Sequence, residues 1–298
     1  MQKFLSILFL SVFSIKGVKS QDALIEKMLD STLLKNFKPK EPGIALLVAK
    51  KGHITYQKAF GSANLELDVP LQPDMVFRVG SITKQFTAIG ILQLVEQGKI
   101  SLQDSLHKFI PDFPQKGHTI TIEHLLTHTS GLKEYMVIDH PDPYIKRHDL
   151  SLQILIDHFK NAPLDFEPGT RHAYTNSGYA ILGRIIEKVT GKPYHEYMKE
   201  NVLDRAGLQH TSFANEQKIV PKRVAGYTRD AGFYENTYYE TTSLGIAAGD
   251  LLSTLPDLLA WNKALLQNKL IKKPLLEKAF SPYRLKDGTV TRYGHGWQ

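Results

Sequence analysis

Cysteine is absent from the 298 residues, which excludes disulfide bonds, thiolate metal sites and a cysteine nucleophile. A basic run interleaved with aromatic residues is also absent, so nucleic acid is not an expected partner despite a formal net charge of +7. The G-x-S-x-G nucleophile elbow and phosphate-binding glycine loops do not occur, which argues against an α/β-hydrolase fold and against nucleotide binding. The remaining composition, 42% hydrophobic and 22% charged, is that of a folded globular protein.

The first twenty residues have the pattern of a secretory signal peptide. Lys3 precedes an apolar run at residues 4–15, which is shorter than the roughly 20 residues that a membrane-spanning helix needs. Val18 and Ser20 are spaced like positions −3 and −1 of a signal-peptidase site. We therefore predict that residues 1–20 are removed and that the protein is secreted or periplasmic in a bacterium, without a stable membrane span. The alternatives are a buried N-terminal helix and a single membrane anchor.

The rest of the chain, residues 21–298, is predicted to be one domain that mixes strands and helices. The runs Gly43–Ala49 and Ile54–Phe60 flank a glycine-containing turn and predict an antiparallel hairpin. Apolar residues at helical spacing predict helices over 22–37, 81–98, 122–127, 152–159 and 177–189, and another that begins after Thr254. We expect a sheet part at about 21–80 and 220–298 and a helical part at about 81–219.

A serine followed three residues later by a lysine can supply a nucleophile and its base, because residues i and i+3 are neighbours on a helix. The pattern occurs at Ser81–Lys84, Ser105–Lys108 and Ser130–Lys133. Gly131 is expected to end the preceding helix, and Ser105 lies in a polar stretch without a strand before it. Ser81 follows a strand-like run and opens an apolar helix, whose positive end disfavours an ammonium. The alternative role of Ser81 is a helix cap.

A tyrosine with an asparagine two residues later occurs at Tyr174–Asn176 and Tyr234–Asn236. The second pair lies in a polar stretch and is predicted to be in a surface loop. A phenol beside a lysine can relay a proton if that cation lowers its pKa, and an asparagine can contact a substrate amide. The alternatives are core packing for Tyr174 and helix capping for Asn176.

The segments Phe77–Thr87 and Glu167–Gly183 resemble the serine β-lactamase and penicillin-binding-protein family, in its class C β-lactamase and D-alanyl-D-alanine carboxypeptidase branch. Further similar signatures are His124–Gly131, Gly249–Thr254 and Tyr293–Trp297. The resemblance implies an α+β fold, in which an antiparallel sheet packs on helices beside a helical subdomain. It also implies Ser81 as nucleophile, Lys84 as base, Tyr174 as proton relay and Asn176 as substrate contact, with no cofactor.

Two other patterns were considered as functional elements. His124 and His128 have the i,i+4 spacing of two zinc ligands, but a third ligand has no evident source, so no metal site is expected. Lys286-Asp-Gly288 superficially matches the Lys- or His-x-Gly element of the family. It precedes the Tyr-Gly-x-Gly-Trp signature instead of following it, and its Asp-Gly pair predicts a hairpin turn.

In the family, further strands, that third element and a closing helix follow the signature, whereas this sequence stops at Gln298. The resemblance thus implies a chain that is incomplete at its C-terminus and lacks one oxyanion-hole N–H, the other coming from Ser81. We expect the 298-residue chain to be poorly soluble or nearly inactive. A natural short variant that uses Lys286–Gly288 is the alternative.

The function predicted from these residues is that of a serine hydrolase that forms an acyl-enzyme at Ser81. The substrate would be a small molecule or a peptidoglycan peptide, attacked at an amide, lactam or ester carbonyl. The alternative from another class is a non-catalytic protein that keeps the fold to bind cell-wall fragments or a partner.

Overall fold

The computed structural model describes residues 12–142, 145–237 and 240–298, and it consists of two compact units. One unit comprises Met1–Met75 and Lys222–Asn236, and the other comprises Val76–Pro221 and Thr237–Gln298. The first part of the predicted signal peptide, residues 1–11, lies outside the described residues. Within the described part of the chain, no helix combines the length and the apolar character that crossing a bilayer requires.

The helices of the described residues are α1 (Val12–Asn36), α2 (Thr83–Glu96), α3 (Ile122–Leu126), α4 (Leu152–Phe159), α5 (Asn176–Thr190), α6 (Tyr194–Met198), α7 (Asp204–Ala206), α8 (Leu255–Leu266) and α9 (Lys273–Phe280). The strands are β1 (Ile44–Lys50), β2 (His53–Phe60), β3 (Ser62–Asn64), β4 (Val69–Pro70), β5 (Phe77–Arg78), β6 (Ser212–Phe213), β7 (Tyr227–Asp230), β8 (Phe233–Asn236) and β9 (Leu251–Ser253). The architecture is therefore α+β with small antiparallel sheets, the predicted fold class.

The unit that contains the N-terminal segment is built on the predicted hairpin. Strands β1 and β2 are antiparallel, with Ile44 opposite Phe60 and Lys50 opposite His53, which confirms that prediction. Helix α1 lies against β2, where Asp30 accepts hydrogen bonds from the Tyr56 hydroxyl at 2.7 Å and from Lys58 at 2.6 Å. Strands β7 and β8 form a second hairpin, so the predicted surface loop around Tyr234 is instead an exposed strand.

The other unit is built around α2 and α5, which are buried over most of their surfaces. Phe86 of α2 stacks on Trp261 of α8 with ring centroids 3.9 Å apart. On α5, the side chains of Tyr179 and Ile185 are fully buried. Burial of large apolar groups is the dominant favourable contribution to folding, so these two helices form a stable support for the residues at their ends.

Polar caps fix the ends of several predicted helices in this unit. Thr121, Ser151 and Thr254 each accept a backbone N–H from the first turn, as expected for an N-cap. Gly191 ends α5 in the left-handed conformation. These start and stop signals are local in sequence, which is why the corresponding predictions are confirmed.

Helix α3 ends at Leu126, one residue before the end of the predicted range 122–127, so the expectation that Gly131 ends this helix is wrong. His128 has a φ of 57° and Gly131 a φ of 74°, so the chain has left the helix before it reaches Ser130. A Cβ atom at position 131 would lie 2.0 Å from the carbonyl oxygen of Phe166. Glycine is thus required there by both the backbone conformation and a close approach.

Strand β5, which precedes α2 in the sequence, belongs to a three-stranded antiparallel sheet with the order β5-β9-β6. Phe77 of β5 pairs with Ser253 of β9, and the Val79 N–H continues the pairing to the carbonyl oxygen of Leu251 at 3.0 Å. A single 3₁₀ turn at Gly80–Ile82 then leads into α2. This strand-turn-helix connection determines where Ser81 lies.

Candidate active site

Ser81 lies on the 3₁₀ turn before α2, with an exposed side chain. Neither that turn nor α2 has a side-chain cap, so the structure gives Ser81 no capping role. Its Oγ atom lies 3.2 Å from Lys84 Nζ and 2.6 Å from the Tyr174 hydroxyl. The serine is therefore open to an incoming molecule on one side and bonded to two titratable groups on the other.

Lys84 is fully buried in the first turn of α2. Besides Ser81, its amine lies 2.7 Å from Asn176 Oδ1 and 2.9 Å from the carbonyl oxygen of Ala248. Burial lowers the pKa of Lys84 to about 7, against a smaller opposite effect of the Glu134 carboxylate. A substantial fraction of this amine is thus unprotonated near neutral pH, as a general base must be.

Tyr174 donates its hydroxyl hydrogen to Ser81, and its ring lies 4.6 Å from Lys84 Nζ. The tyrosine is 46% exposed, which argues against the alternative of core packing. Burial of its inner part nevertheless raises the pKa of Tyr174, and the bond to Ser81 opposes this only in part. The lowered pKa that was named as the condition for a proton relay is therefore not found in the resting site, where the phenol keeps its proton.

Asn176 is the first residue of α5, and the N-cap of this helix is Thr175, whose hydroxyl accepts the Ser177 N–H. The Asn176 side chain is accordingly not a cap, and its Oδ1 accepts a hydrogen bond from Lys84. The Asn176 backbone N–H donates to Glu134 Oε2 at 2.5 Å. The backbone and the side chain of this residue are thus both held by titratable partners from elsewhere in the chain.

A loop at residues 245–250 forms the base of the site. Thr87, one turn after Lys84 on α2, donates its hydroxyl to the carbonyl oxygen of Ala247 at 2.7 Å, while Lys84 donates to that of Ala248. Asp250 is buried and bonds to His195 Nε2 at 2.6 Å, and its burial raises the pKa of the carboxyl. The two consecutive carbonyl oxygens fix this loop to α2.

Ser81 opens into a cavity of about 260 Å³. Its lining includes Asn176 and Gly249, together with Arg78, Met136 and Glu240. The volume suits a small acyl group or a dipeptide-sized ligand, and charged side chains of both signs are part of the lining.

The other two serine–lysine pairs are not active-site candidates in the structure. Ser105 caps a 3₁₀ turn by accepting the His107 N–H, and Lys108 pairs with Asp104 at 2.8 Å. Lys133 pairs with Asp165 at 3.5 Å. Sequence context had favoured Ser81 over these two pairs, and only Ser81 has its lysine as a hydrogen-bond partner among the described contacts.

The two histidines with metal-ligand spacing have structural partners instead. His124 closes a capping box with Thr121, and His128 Nδ1 accepts the Thr175 N–H at 3.2 Å. The His128 ring also packs on Tyr174, with centroids 4.3 Å apart. Burial lowers the pKa of His128 well below its usual value, and the positive charge of Lys84 adds to this effect.

Lys286-Asp-Gly288 forms the predicted turn. The Leu285 N–H donates to Thr289 O at 2.8 Å, and Gly288 has a φ of 90°. Lys286 pairs with Glu167 at 2.5 Å and does not line the cavity beside Ser81. The turn prediction is confirmed, and the alternative that Lys286 supplies a third site element finds no support in these contacts.

Two partners in the site, Glu134 and the carbonyl oxygen of Ala248, were not predicted from the sequence. Glu134 is 42 positions from Asn176 and belongs to no motif by itself, so its contact is visible only in the folded chain. Ala248 acts through its backbone, which has no residue-specific signal. The adjacent Gly249–Thr254 signature was the one available indication that this loop has a fixed conformation.

The sequence model of the family described as "Beta-lactamase" matches residues 22–298. The chain belongs to the beta-lactamase family. It is 35% identical to a penicillin-binding protein of Bacillus subtilis (strain 168) over 268 residues. This alignment covers 85% of this chain and 58% of the relative. A D-aminopeptidase of Gluconobacter oxydans (strain 621H) is 28% identical over 86% of this chain and 48% of its own. The chain thus spans about half the length of these curated relatives.

Solved structures give the same result for the fold. An octameric penicillin-binding protein homologue from Pyrococcus abyssi superposes with a TM-score of 0.72 at 30% identity, covering 93% of this chain and 64% of that one. A D-amino acid amidase from Ochrobactrum anthropi SV3, complexed with L-phenylalanine amide, superposes with a TM-score of 0.77 at 26% identity, covering 91% of this chain and 78% of that one. The predicted family and fold class are both confirmed.

Proposed function

We propose that this chain is a serine hydrolase that forms an acyl-enzyme at Ser81. The observation that supports it most directly is the environment of Lys84, whose amine has three oxygen partners. The oxygens of Asn176 Oδ1 and of the Ala248 carbonyl can only accept hydrogen bonds. A neutral amine has two hydrogens for these two acceptors, and its lone pair is then left for the Ser81 hydroxyl.

The proposed acylation follows from this arrangement. Ser81 Oγ attacks the substrate carbonyl carbon while its proton passes to the Lys84 amine, which forms the tetrahedral intermediate. As that intermediate collapses, the leaving nitrogen or oxygen takes the proton of the exposed Tyr174 hydroxyl, and the Lys84 ammonium returns a proton to Tyr174. Water then attacks the acyl-enzyme carbonyl and releases the acid, with Ser81 regaining its proton. No cofactor is required for these steps.

We propose amides, lactams or esters of small acyl groups as the substrate class. The relatives support this, because proteins named D-aminopeptidase and D-amino acid amidase share the family. Within the class, cell-wall peptides with D-amino acids fit the mixed charges around the cavity, since Arg78 can meet a carboxylate and Glu240 an amine.

Incubation of the full chain with a fluorescent penicillin and with an activated ester, followed by mass spectrometry, tests the proposal. We expect a covalent adduct on the peptide that contains Ser81, and none in Ser81→Ala. Binding of cell-wall peptides without any adduct, unaffected by Lys84→Met, would instead favour a non-catalytic binding protein.

We also propose export after removal of residues 1–20. The support is the pattern of Lys3, the apolar run and the small residues Val18 and Ser20. Expression in a bacterium and mass determination of the N-terminal peptide in the periplasm or medium would test this, with Gln21 as the expected first residue. Retention of Met1 in the recovered protein would contradict it.

A further inference from the structure

We propose that Glu134 is a positioning residue for the acylation chemistry, holding the start of α5 in place and balancing the charge of the Lys84 amine. This inference rests on the proposed function. Glu134 lies on a segment that the motifs of the site do not include, between α3 and α4. Its carboxylate is nevertheless bonded directly to the backbone of Asn176.

Glu134 accepts two backbone N–H groups, one of them at the start of α5. Glu134 Oε2 accepts the Asn176 N–H at 2.5 Å, and Oε1 accepts the Met136 N–H at 3.1 Å. The Asn176 N–H is one of the N-terminal groups of α5 without a partner inside the helix, and a carboxylate is the favoured partner there. The carboxylate therefore fixes the backbone of the residue whose side chain accepts the Lys84 hydrogen bond.

The neighbouring residues strengthen this connection. Ser177 Oγ donates to the carbonyl oxygen of Lys133 at 2.6 Å and accepts the Tyr135 N–H at 3.0 Å. Residues 133–135 are thus bonded to the first two residues of α5 at three points. Because these bonds converge on one helix end, a displacement of Glu134 shifts Asn176, and with it an acceptor of Lys84.

Glu134 also affects the protonation of Lys84 through its charge. The titratable groups that face Lys84 are Glu134, His128, Tyr174 and Tyr179, while Asp250 of the adjoining loop pairs with His195. Burial lowers the pKa of His128 and raises those of both tyrosines, so these three side chains are uncharged at neutral pH.

The Glu134 carboxylate favours the ammonium form of Lys84 and so opposes the effect of burial on its pKa. Without the Glu134 carboxylate, the pKa of Lys84 would be lower. The amine would then stay unprotonated down to a lower pH, but it would be a weaker base. Glu134 thus keeps the pKa of Lys84 in the range where a general base is most effective, near the operating pH.

The test compares the pH dependence of acylation in the wild type and in Glu134→Gln, a variant of nearly equal shape. Gln can still accept one of the two N–H groups, but it lacks the charge. We expect the acidic limb of kcat/KM to move down by about one pH unit, the lower end of the effect of one nearby opposite charge. Asp165→Asn is the matched control, since Asp165 is an exposed carboxylate that pairs with the adjacent Lys133. The acidic limb of kcat/KM in Asp165→Asn should stay where it is in the wild type.

Lysine side-chain NMR provides a readout that does not need turnover. The Lys84 signal, assigned from its loss in Lys84→Met, should titrate at lower pH in Glu134→Gln, with Glu134→Asp between that variant and the wild type. If Glu134→Gln does not fold, Glu134→Asp carries the test alone. An unchanged Lys84 midpoint in the folded variants would overturn the proposal.

The two proposals fail in different ways. A penicillin or ester adduct that persists in Ser81→Ala would contradict the proposed function. A wild type that is acylated at Ser81, combined with an unmoved limb in Glu134→Gln, would leave that function intact and contradict the role of Glu134.

Discussion

Ser81 accepts a hydrogen bond from Tyr174 across 2.6 Å while the same oxygen lies 3.2 Å from Lys84. The pKa values of these two partners are shifted in opposite directions. Burial lowers the pKa of Lys84 to about 7 and raises that of Tyr174. Near neutral pH the lysine can therefore take a proton and the tyrosine can give one. Burial therefore makes Lys84 suited to act as the base and Tyr174 suited to act as the acid.

Replacing Lys84 with methionine should lower the acylation rate by about 10²–10⁴-fold, the usual loss when a general base is removed. Methionine fills most of the volume, so we expect a cooperative thermal transition. Lys108→Met is the matched control, because Lys108 belongs to the same tetrapeptide pattern and pairs with Asp104. Acylation by a fluorescent penicillin measures both variants, and equal rates would contradict the role of Lys84.

The acylation rate should rise with pH with a midpoint near 7, because the pKa of Lys84 is lowered to about 7 and its neutral form is the active one. The raised pKa of Tyr174 places the alkaline limb above about 10, the ordinary value for tyrosine. Stopped-flow acylation between about pH 5 and pH 10 measures the acidic limb and the plateau above it, and no fall in rate is expected within this range. A midpoint at the ordinary lysine value would show that Lys84 is not the base.

Tyr174→Phe should reduce acylation by about 10²-fold or somewhat more, since the leaving group loses its proton donor. The alkaline limb should flatten at the same time. Tyr234→Phe is a suitable control, because Tyr234 has the same Tyr-x-Asn spacing but lies on the exposed strand β8. Full activity of Tyr174→Phe at every pH would assign this tyrosine a structural role only.

Gly131→Ala should destabilise the fold by more than about 3 kcal/mol, because it combines a left-handed backbone with a Cβ atom against the Phe166 carbonyl. Gly207→Ala has a similar φ of 77° and no heavy atom within 4 Å of the added carbon. That variant should cost only about 1–2 kcal/mol, the conformational part. Urea unfolding of both variants separates the clash from the backbone strain, and equal losses would contradict the clash.

The sequence could predict those parts of the site that depend on short-range patterns. Ser81 and Lys84 are three residues apart on one helical turn, and Tyr174 and Asn176 flank the start of α5. Helix ends were predictable for the same reason, since Thr121 and Thr254 cap the turns that follow them. In each case the interacting residues are only a few positions apart in the sequence, so a short motif is enough to predict the relationship.

Relationships across the chain could not be predicted in this way. The contact of Glu134 with Asn176 depends on how the segment after α3 folds back onto α5, and the Ala248 carbonyl has no side chain to recognise. The raised pKa of Tyr174 was not predictable either, because the sequence shows the nearby charge of Lys84 but not the burial of the ring. Burial is a property of the assembled unit, so no local pattern reports it.

The attachment of the 245–250 loop to α2 has a consequence for how this site can change. Thr87 and Lys84 hold the carbonyl oxygens of Ala247 and Ala248, so a substitution that moves the loop also moves the reacting amine. New substrate preferences should then arise at lining residues outside this loop, such as Arg78, Met136 and Glu240. Libraries that randomise these three positions should yield altered selectivity with the chemistry preserved, whereas libraries in the loop should yield mostly inactive clones.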